Sequence, residues 1–351
     1  MLSPRKETIL KSIVGQYIIK AKPVPSQSIL KECELGVSSA TVRNEMVQLE
    51  QEGYITRPHT SSGSIPLDKG YRQYVESIGD IKLPLAEQLL ISHVFHQVEK
   101  DLDEWLNLAA TLIAQMVQNV ALITVPRSDV SQFKNLKLVS LQDFLVLIVL
   151  VLTGAKVRQQ LIAFERTITQ EELSVIDNKL NSIFSGLTGS EIEAKDSKLT
   201  PIEQQITDCL VELMEDADSN EYEEPYLDGL HLTFNQPEFA HSHQMALTLT
   251  ELIEQRNLLK SIIPSSLSNE KARVIIGKEN KSDVIHDYSV VLRQYGIPEE
   301  ASGTIGVIGP TRMPYARTIA TIDYISLLLN RMIARLYGIR ILDEQNNDTT
   351  D

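Results

Sequence analysis

Val37-Ser38-Ser39-Ala40-Thr41-Val42-Arg43-Asn44-Glu45-Met46-Val47-Gln48-Leu49-Glu50-Gln51-Glu52-Gly53-Tyr54-Ile55-Thr56-Arg57 is the stretch from which the rest of the chain can be understood. Ser38 or Ser39 can accept hydrogen bonds from the free N–H groups of a helix start, and Gly53 suits a left-handed stop. Between them Val42, Met46 and Leu49 recur at i, i+4 and i+7, one apolar stripe on a helix. The opposite side carries Ala40, Asn44 and Val47, flanked by Thr41, Arg43 and Gln48. That face is small near its start and then offers a guanidinium, an amide and a hydroxyl. It suits a major groove, where Arg reads guanine, Asn reads adenine, and small apolar groups meet the thymine methyl. The same pattern also fits an ordinary amphipathic helix with a solvated face.

Upstream, the periodicity predicts a helix from Pro4 to about Lys20, with Ile9, Ile13 and Tyr17 along one side. Lys22-Pro23-Val24-Pro25 breaks it, and Ser26 caps a short second helix. Downstream, residues 54–57 and 65–67 read as short strands around the turn-rich loop Pro58-His59-Thr60-Ser61-Ser62-Gly63-Ser64. Three helices followed by a small β-ribbon predict a winged helix-turn-helix over residues 1–78.

A chain of 351 residues is expected to hold two or three domains, and 42% hydrophobic with 23% charged residues is a globular composition. No run approaches the roughly 20 apolar residues of a membrane span. The charged start lacks the apolar core of a secretory signal, so no membrane partner and a cytoplasmic location are expected. Cys33 and Cys209 are the only cysteines, which fits a reducing compartment and argues against a cysteine metal site. The net charge of −14 is unevenly spread. Residues 1–75 hold ten Lys/Arg against seven Asp/Glu, +3; the remainder holds 23 against 40, −17. Cations gather where nucleic acid would be touched.

Residues 79–126 read as a linker and one long helix, from about 85 to 120, roughly 50 Å at 1.5 Å per residue. Val98, Leu102, Trp105, Ala109, Leu112 and Met116 form a near-heptad series, either a coiled-coil seam or the backbone helix of the next domain. The second is favoured, because the helix runs into the apolar strand 121–125. Residues 127–225 read as an insertion: strands at 137–141, 144–152 and 157–164, covering helices at 171–184 and 202–214, and an acidic loop at 215–224. The nine apolar residues 144–152 predict a strand buried on both faces. From 226 to 342 the interrupted domain resumes, with strands at 230–234, 273–276, 288–293 and 304–308. A helix over 241–259 and a closing helix over 314–337, apolar along Ile322, Ile325, Leu329, Met332 and Leu336, complete it. Residues 343–351 read as a disordered tail.

Several motifs together resemble the HrcA family of heat-inducible bacterial transcription repressors. They are Ser38 to Met46, Leu49-Glu50, Gly53-Tyr54, Pro58-His59-Thr60-Ser61, Gly63, Ile65-Pro66, Asp68-Lys69-Gly70-Tyr71-Arg72, and Gly303-Thr304-Ile305-Gly306-Val307-Ile308-Gly309-Pro310-Thr311-Arg312-Met313. The resemblance implies an inverted-repeat operator on double-stranded DNA ahead of chaperone genes, a homodimer, and a GroEL-type chaperonin that holds the active form. It also implies that a GAF-like α+β domain is interrupted by an inserted dimerising α+β domain at 127–225, the whole being α+β; pattern alone supports only α+β. Two positions depart from the family, which usually has a basic residue near Gln27 and an Arg where Ser64 stands here. On this reading Thr41, Arg43 and Asn44 meet base edges, and Ala40 and Val47 meet thymine methyls. Ser39, Arg57, His59, Thr60, Ser61, Lys69 and Arg72 hold the DNA backbone.

Enzyme signatures are missing: no G-x-x-x-x-G-K-[ST], G-x-S-x-G or H-E-x-x-H occurs. His241-Ser242-His243, with His231 nearby, is the best metal candidate, but helical residues at i and i+2 point about 200° apart, so neither metal nor cofactor is expected. Gly306 and Gly309-Pro310-Thr311-Arg312 read as an anion-holding turn or, more simply, a tight turn with Thr311 capping the last helix. Because GAF-like domains often bind small molecules, a ligand-sensing regulator is the alternative function; an interaction scaffold without DNA binding is a third.

Overall fold

The computed structural model describes residues 2–32, 38–59, 62–98, 101–126, 131–153, 157–195, 197–219, 224–254, 271–297 and 301–336. The chain is mixed α and β and divides into two compact units. One comprises Met1–Thr124, Pro225–Tyr295 and Thr304–Asp351; the other comprises Val125–Glu224 and Gly296–Gly303.

The larger unit opens with a head of three helices, α1 (Pro4–Lys20), α2 (Ser26–Glu32) and α3 (Ser39–Gln51). Ser3 caps α1 and Ser38 caps α3, each side chain accepting from the N–H three residues on. Ile9, Leu10, Ile13, Val14, Ile29, Val42, Met46 and Leu49 are buried and give the head its own core. Polar ties brace it: Arg5 Nε donates to Glu45 (2.9 Å), Lys6 to Glu52 (2.7 Å) and Ser12 to Glu32 (2.9 Å). Gly53 sits at φ 76°, where the helix stop was expected, and the chain enters an antiparallel ribbon of β1 (Ile55–Thr56) and β2 (Ile65–Pro66). Ser64, just before β2, is buried and exchanges backbone hydrogen bonds with Val24 (2.8 and 2.9 Å). Helix α4 (Asp68–Glu76) follows.

The body of this unit is a five-stranded sheet in the order β7-β3-β10-β9-β8. Its strands are β3 (Val120–Ile123), β7 (Tyr226–Asp228), β8 (Arg273–Ile276), β9 (Tyr288–Ile297) and β10 (Ala301–Pro310). The centre is made by partners far apart in the chain, β3 pairing antiparallel with β10 at Ile123↔Ile305. Helices α5 (Leu85–Gln97), α6 (Leu102–Val117) and α13 (Tyr315–Leu336) belong to the same body. Ile322, Ile325 and Leu329 of α13 are buried, as expected, while Met332 is half-buried.

Four expectations change here. The long helix is two, because Val98 turns extended (φ −88°, ψ 146°) and Asp101 caps α6 by accepting from Asp103 N (2.9 Å). The buried side of α6 is Trp105, Leu106, Ala109, Ala110, Ile113, Ala114 and Val117, a globular stripe wider than a coiled-coil seam. Residues 230–234 form a short helix, α10 (Leu230–Phe234), not a strand. The cause is Gly229 at φ 91°, where an added Cβ would stand 2.3 Å from Asn119 O; the strand is instead the preceding β7. The helix expected at 241–259 is two, α11 (Pro237–His241) and α12 (His243–Glu254), and residues 255–259 lie outside the described residues.

The fourth change concerns the smaller unit. It packs helices α7 (Gln170–Phe184), α8 (Gly189–Glu193) and α9 (Pro201–Ser219) with a three-stranded sheet of β4 (Phe133–Gln142), β5 (Leu145–Leu152) and β6 (Val157–Ala163), β5 central. Asn181 ties α7 to β4, its side chain bonded to both Leu136 N (2.7 Å) and Leu136 O (2.9 Å). Strand β5 is not buried on both faces. Val146, Ile148, Leu150 and Leu152 are buried, but Leu145, Leu147, Val149 and Val151 are only half-buried. The outer face continues across the sheet in the row Val139↔Leu147↔Leu161, with Val139 36% and Leu161 53% exposed. The acidic run begins inside α9, which extends to Ser219; residues 220–223 and the tail at 343–351 lie outside the described residues. No helix among the described residues is long and apolar enough to cross a membrane.

Candidate nucleic-acid interface

Helix α3 turns its apolar stripe into the head and leaves Ser39, Ala40, Arg43, Asn44 and Val47 exposed; Thr41 is half-buried. Thr41 stands at the helix start, its Oγ1 3.0 Å from Ser38 Oγ, so its hydroxyl is engaged with the cap. Arg43 Nε makes a long 3.5 Å contact with Ser26 Oγ at the start of α2. Five of the six α3 side chains expected at DNA thus share an open helical face, 100° per residue placing 40, 43, 44 and 47 together.

The expected backbone contacts are more varied. His59 is exposed on the ribbon turn, which Ser62 closes by donating from Oγ to His59 O (2.7 Å). Thr60 and Ser61 lie outside the described residues. Arg57 pairs with Glu50 (3.3 Å). Lys69 is exposed, donating to Glu52 O (2.9 Å) with its ammonium 4.3 Å from the Tyr54 ring centre.

Arg72, expected on phosphate, is committed within the protein. Its Nε donates to Glu279 Oε1 (2.8 Å), and its Nη2 donates to Val274 O (2.8 Å) and Glu279 Oε2. Burial raises the Glu279 carboxyl, but the bonds from Arg72 and from Ile276 N–H outweigh it and hold the group below the usual carboxylate range. Four residues before Arg72, Asp68 accepts from Lys278 N (3.0 Å). Gly277 (φ 50°) makes that approach possible, since an added Cβ would lie 2.4 Å from the Asp68 carboxylate.

At the turn 309–313, Arg312 is committed within the protein. Its guanidinium donates to Glu238 (3.1 Å from Nη2) and to Ile18 O near the end of α1. Thr311 does not cap α13; both its N–H (3.2 Å) and its hydroxyl (3.0 Å) donate to Asp287 O. Of the histidine cluster, Ser242 starts α12 by accepting from Met245 N (3.3 Å). Among the described residues no three His, Cys, Asp or Glu side chains gather as metal ligands.

A family model described as the HrcA protein C-terminal domain matches residues 103–319. A heat-inducible transcription repressor HrcA of Dehalococcoides mccartyi (strain ATCC BAA-2266 / KCTC 15142 / 195) is 53% identical over 338 residues, 96% of this chain and 98% of its own. The chain belongs to the HrcA family. A second HrcA repressor, from Herpetosiphon aurantiacus, is 37% identical and spans 97% of this chain and 98% of its own length. A solved crystal structure of a hypothetical protein shares the fold, with a TM-score of 0.58 at 26% identity over 95% of this chain and 98% of that one. HrcA relatives are named as repressors of transcription, which makes this chain a transcription regulator and not an enzyme. What sequence reasoning missed are the acceptors that take Arg72 and Arg312, namely Glu279, Val274 O, Glu238 and Ile18 O. All four lie more than 70 positions from the arginine they bind, beyond the reach of any local pattern.

Proposed function

We propose that this HrcA chain is a homodimeric, sequence-specific repressor of chaperone operons, working in the cytoplasm on an inverted-repeat operator. In this reading α1–α3 and the ribbon act as a winged helix-turn-helix, and α3 enters the major groove. The observation that carries it is the open α3 face of Ser39, Ala40, Arg43, Asn44 and Val47, in a segment that is net positive while the rest of the chain is acidic. Arg43, Asn44 and Thr41 read base edges, and Ala40 and Val47 meet thymine methyls. Arg57, His59, Thr60, Ser61 and Lys69 serve the backbone. A footprint of the purified protein upstream of its own chaperonin operon tests this; no protected inverted repeat at low salt would overturn it.

Lys69 gives a prediction of its own. A phosphate contact is blind to sequence and releases counterions. Lys69→Ala is therefore expected to weaken specific and random DNA alike and to lower the slope of log K against log salt by about one unit. A loss confined to the specific site would place Lys69 at a base edge instead.

The body and the smaller unit supply the dimer and its regulation. The five-stranded body serves as a GAF-like domain, and the smaller unit as the inserted dimerising domain. Val139, Leu147 and Leu161 make an apolar sheet face that suits a second copy of the chain. Strand β5 has no charge, Pro or Gly along its length, so a subunit whose sheet opens is prone to aggregation. Chaperonin that captures and returns such chains would maintain repression, and heat-unfolded clients would divert it. Operator binding at rising temperature, with and without chaperonin and nucleotide, checks this. Chaperonin is expected to prolong the active fraction, and an unfolded competitor to cancel the gain. Loss of DNA binding on adding a metabolite would favour a ligand-sensing regulator.

A further inference from the structure

We infer that the Asp68–Arg72 motif and the turn ending at Met313 are parts of one polar bridge that fixes the DNA-binding head on the five-stranded body, and that this bridge selects the half-site spacing. The inference rests on the DNA-binding reading above. The first motif lies in the head, and the second joins β10 to α13 in the body. The bridging bonds of Asp68, Arg72 and Arg312 go to partners other than the proposed base-reading residues of α3.

The head is held at two separated places. At α4, Arg72 meets both oxygens of Glu279 and also Val274 O, while Asp68 meets Lys278 N. A guanidinium on both oxygens of a carboxylate fixes the plane as well as the distance. At the end of α1, Arg312 reaches Ile18 O while its other bonds go to Glu238 and Gln236. Between these points the buried Tyr71 ring lies 5.9 Å from that of Tyr315, whose hydroxyl is anchored at Ser289 Oγ (2.7 Å) and Thr311 O (2.7 Å). One attachment would leave the head free to swivel. Two attachments with a packed ring pair between them remove that freedom.

Orientation matters because DNA is a screw. A turn of about 10.5 base pairs means each added pair rotates the second half-site by about 34°. Heads fixed on a dimer meet two major grooves at one spacing; heads on slack joints accept several. Glu279 and Glu238 lie on the body and carry no proposed DNA contact. Removing either slackens the joint without touching the reading face.

The test uses full-length protein and a series of inverted-repeat duplexes whose central spacer is lengthened by one to six base pairs. The wild type is expected to lose at least ~10-fold in affinity near five added pairs, a half turn. Glu279→Ala is expected to lose less than ~3-fold there while keeping its affinity for an isolated half-site within ~2-fold. Glu238→Gln, acting at the other attachment, is expected to flatten the profile in the same way and covers the case of a Glu279 variant that does not fold. Both variants keeping the wild-type profile would overturn the inference. If the wild type prefers no inverted repeat at all, the DNA-binding reading falls, and hydrogen exchange then judges the bridge alone. Amides of α4 are expected to exchange faster in Glu279→Ala, and unchanged exchange would remove the bridge.

Discussion

Replacing Asn44 by alanine is expected to reduce discrimination between operator and random DNA by ~5- to ~150-fold, the equivalent of about 1–3 kcal/mol for a bidentate amide–adenine contact. The side chain is exposed on α3, so the head should fold unchanged. Non-specific binding, carried by the cations, should hardly move. Competition titration against random duplex separates the two quantities. An unchanged ratio would mean that α3 does not present this face to the bases.

Leu161→Lys is expected to split the dimer and take operator affinity with it. Leu161 is 53% exposed on β6, beside Leu147 and Val139, so a lysine there should leave the protomer folded. Facing a second copy, it would bury two ammonium groups without partners. Two half-sites on one duplex are read together only by linked heads, and losing the link is expected to cost ~10²- to ~10⁴-fold in apparent affinity. Sedimentation and operator titration of the same sample report both effects. A variant that still sediments as a dimer would move the interface away from this sheet.

How much was legible depended on how local each cause is. Helix α3 could be read in full because its cap Ser38, its stripe Val42, Met46 and Leu49, and its stop Gly53 all lie within sixteen residues. The division between α5 and α6 was hidden because no Gly or Pro stands between 97 and 102. Asp101 caps α6, and a lone aspartate inside an apolar period is a weak signal. Leu230-His231-Leu232-Thr233-Phe234 alternates as a strand should, yet Gly229 turns it into a helix against Asn119, a neighbour 110 positions earlier. The half-buried outer face of β5 was misjudged for a related reason. An apolar residue says that water is unfavourable, not which surface will cover it. At the site the same division holds: the reading face of α3 was visible in its period, whereas the fate of Arg72 rested on Glu279, 207 positions later.

The pairing of β3 with β10 also carries a consequence for synthesis. Ile123 leaves the ribosome long before Ile305, its partner in the finished sheet. At about 5–20 residues per second that wait lasts on the order of 10–40 s. The head, whose own core is built from local contacts, can close early, while the strand Val120–Ile123 stays unpaired on its central side until nearly the whole chain is made. Each newborn molecule therefore passes through an exposed phase whose length is set by translation speed. Slowing elongation should raise the share of chains lost before they mature.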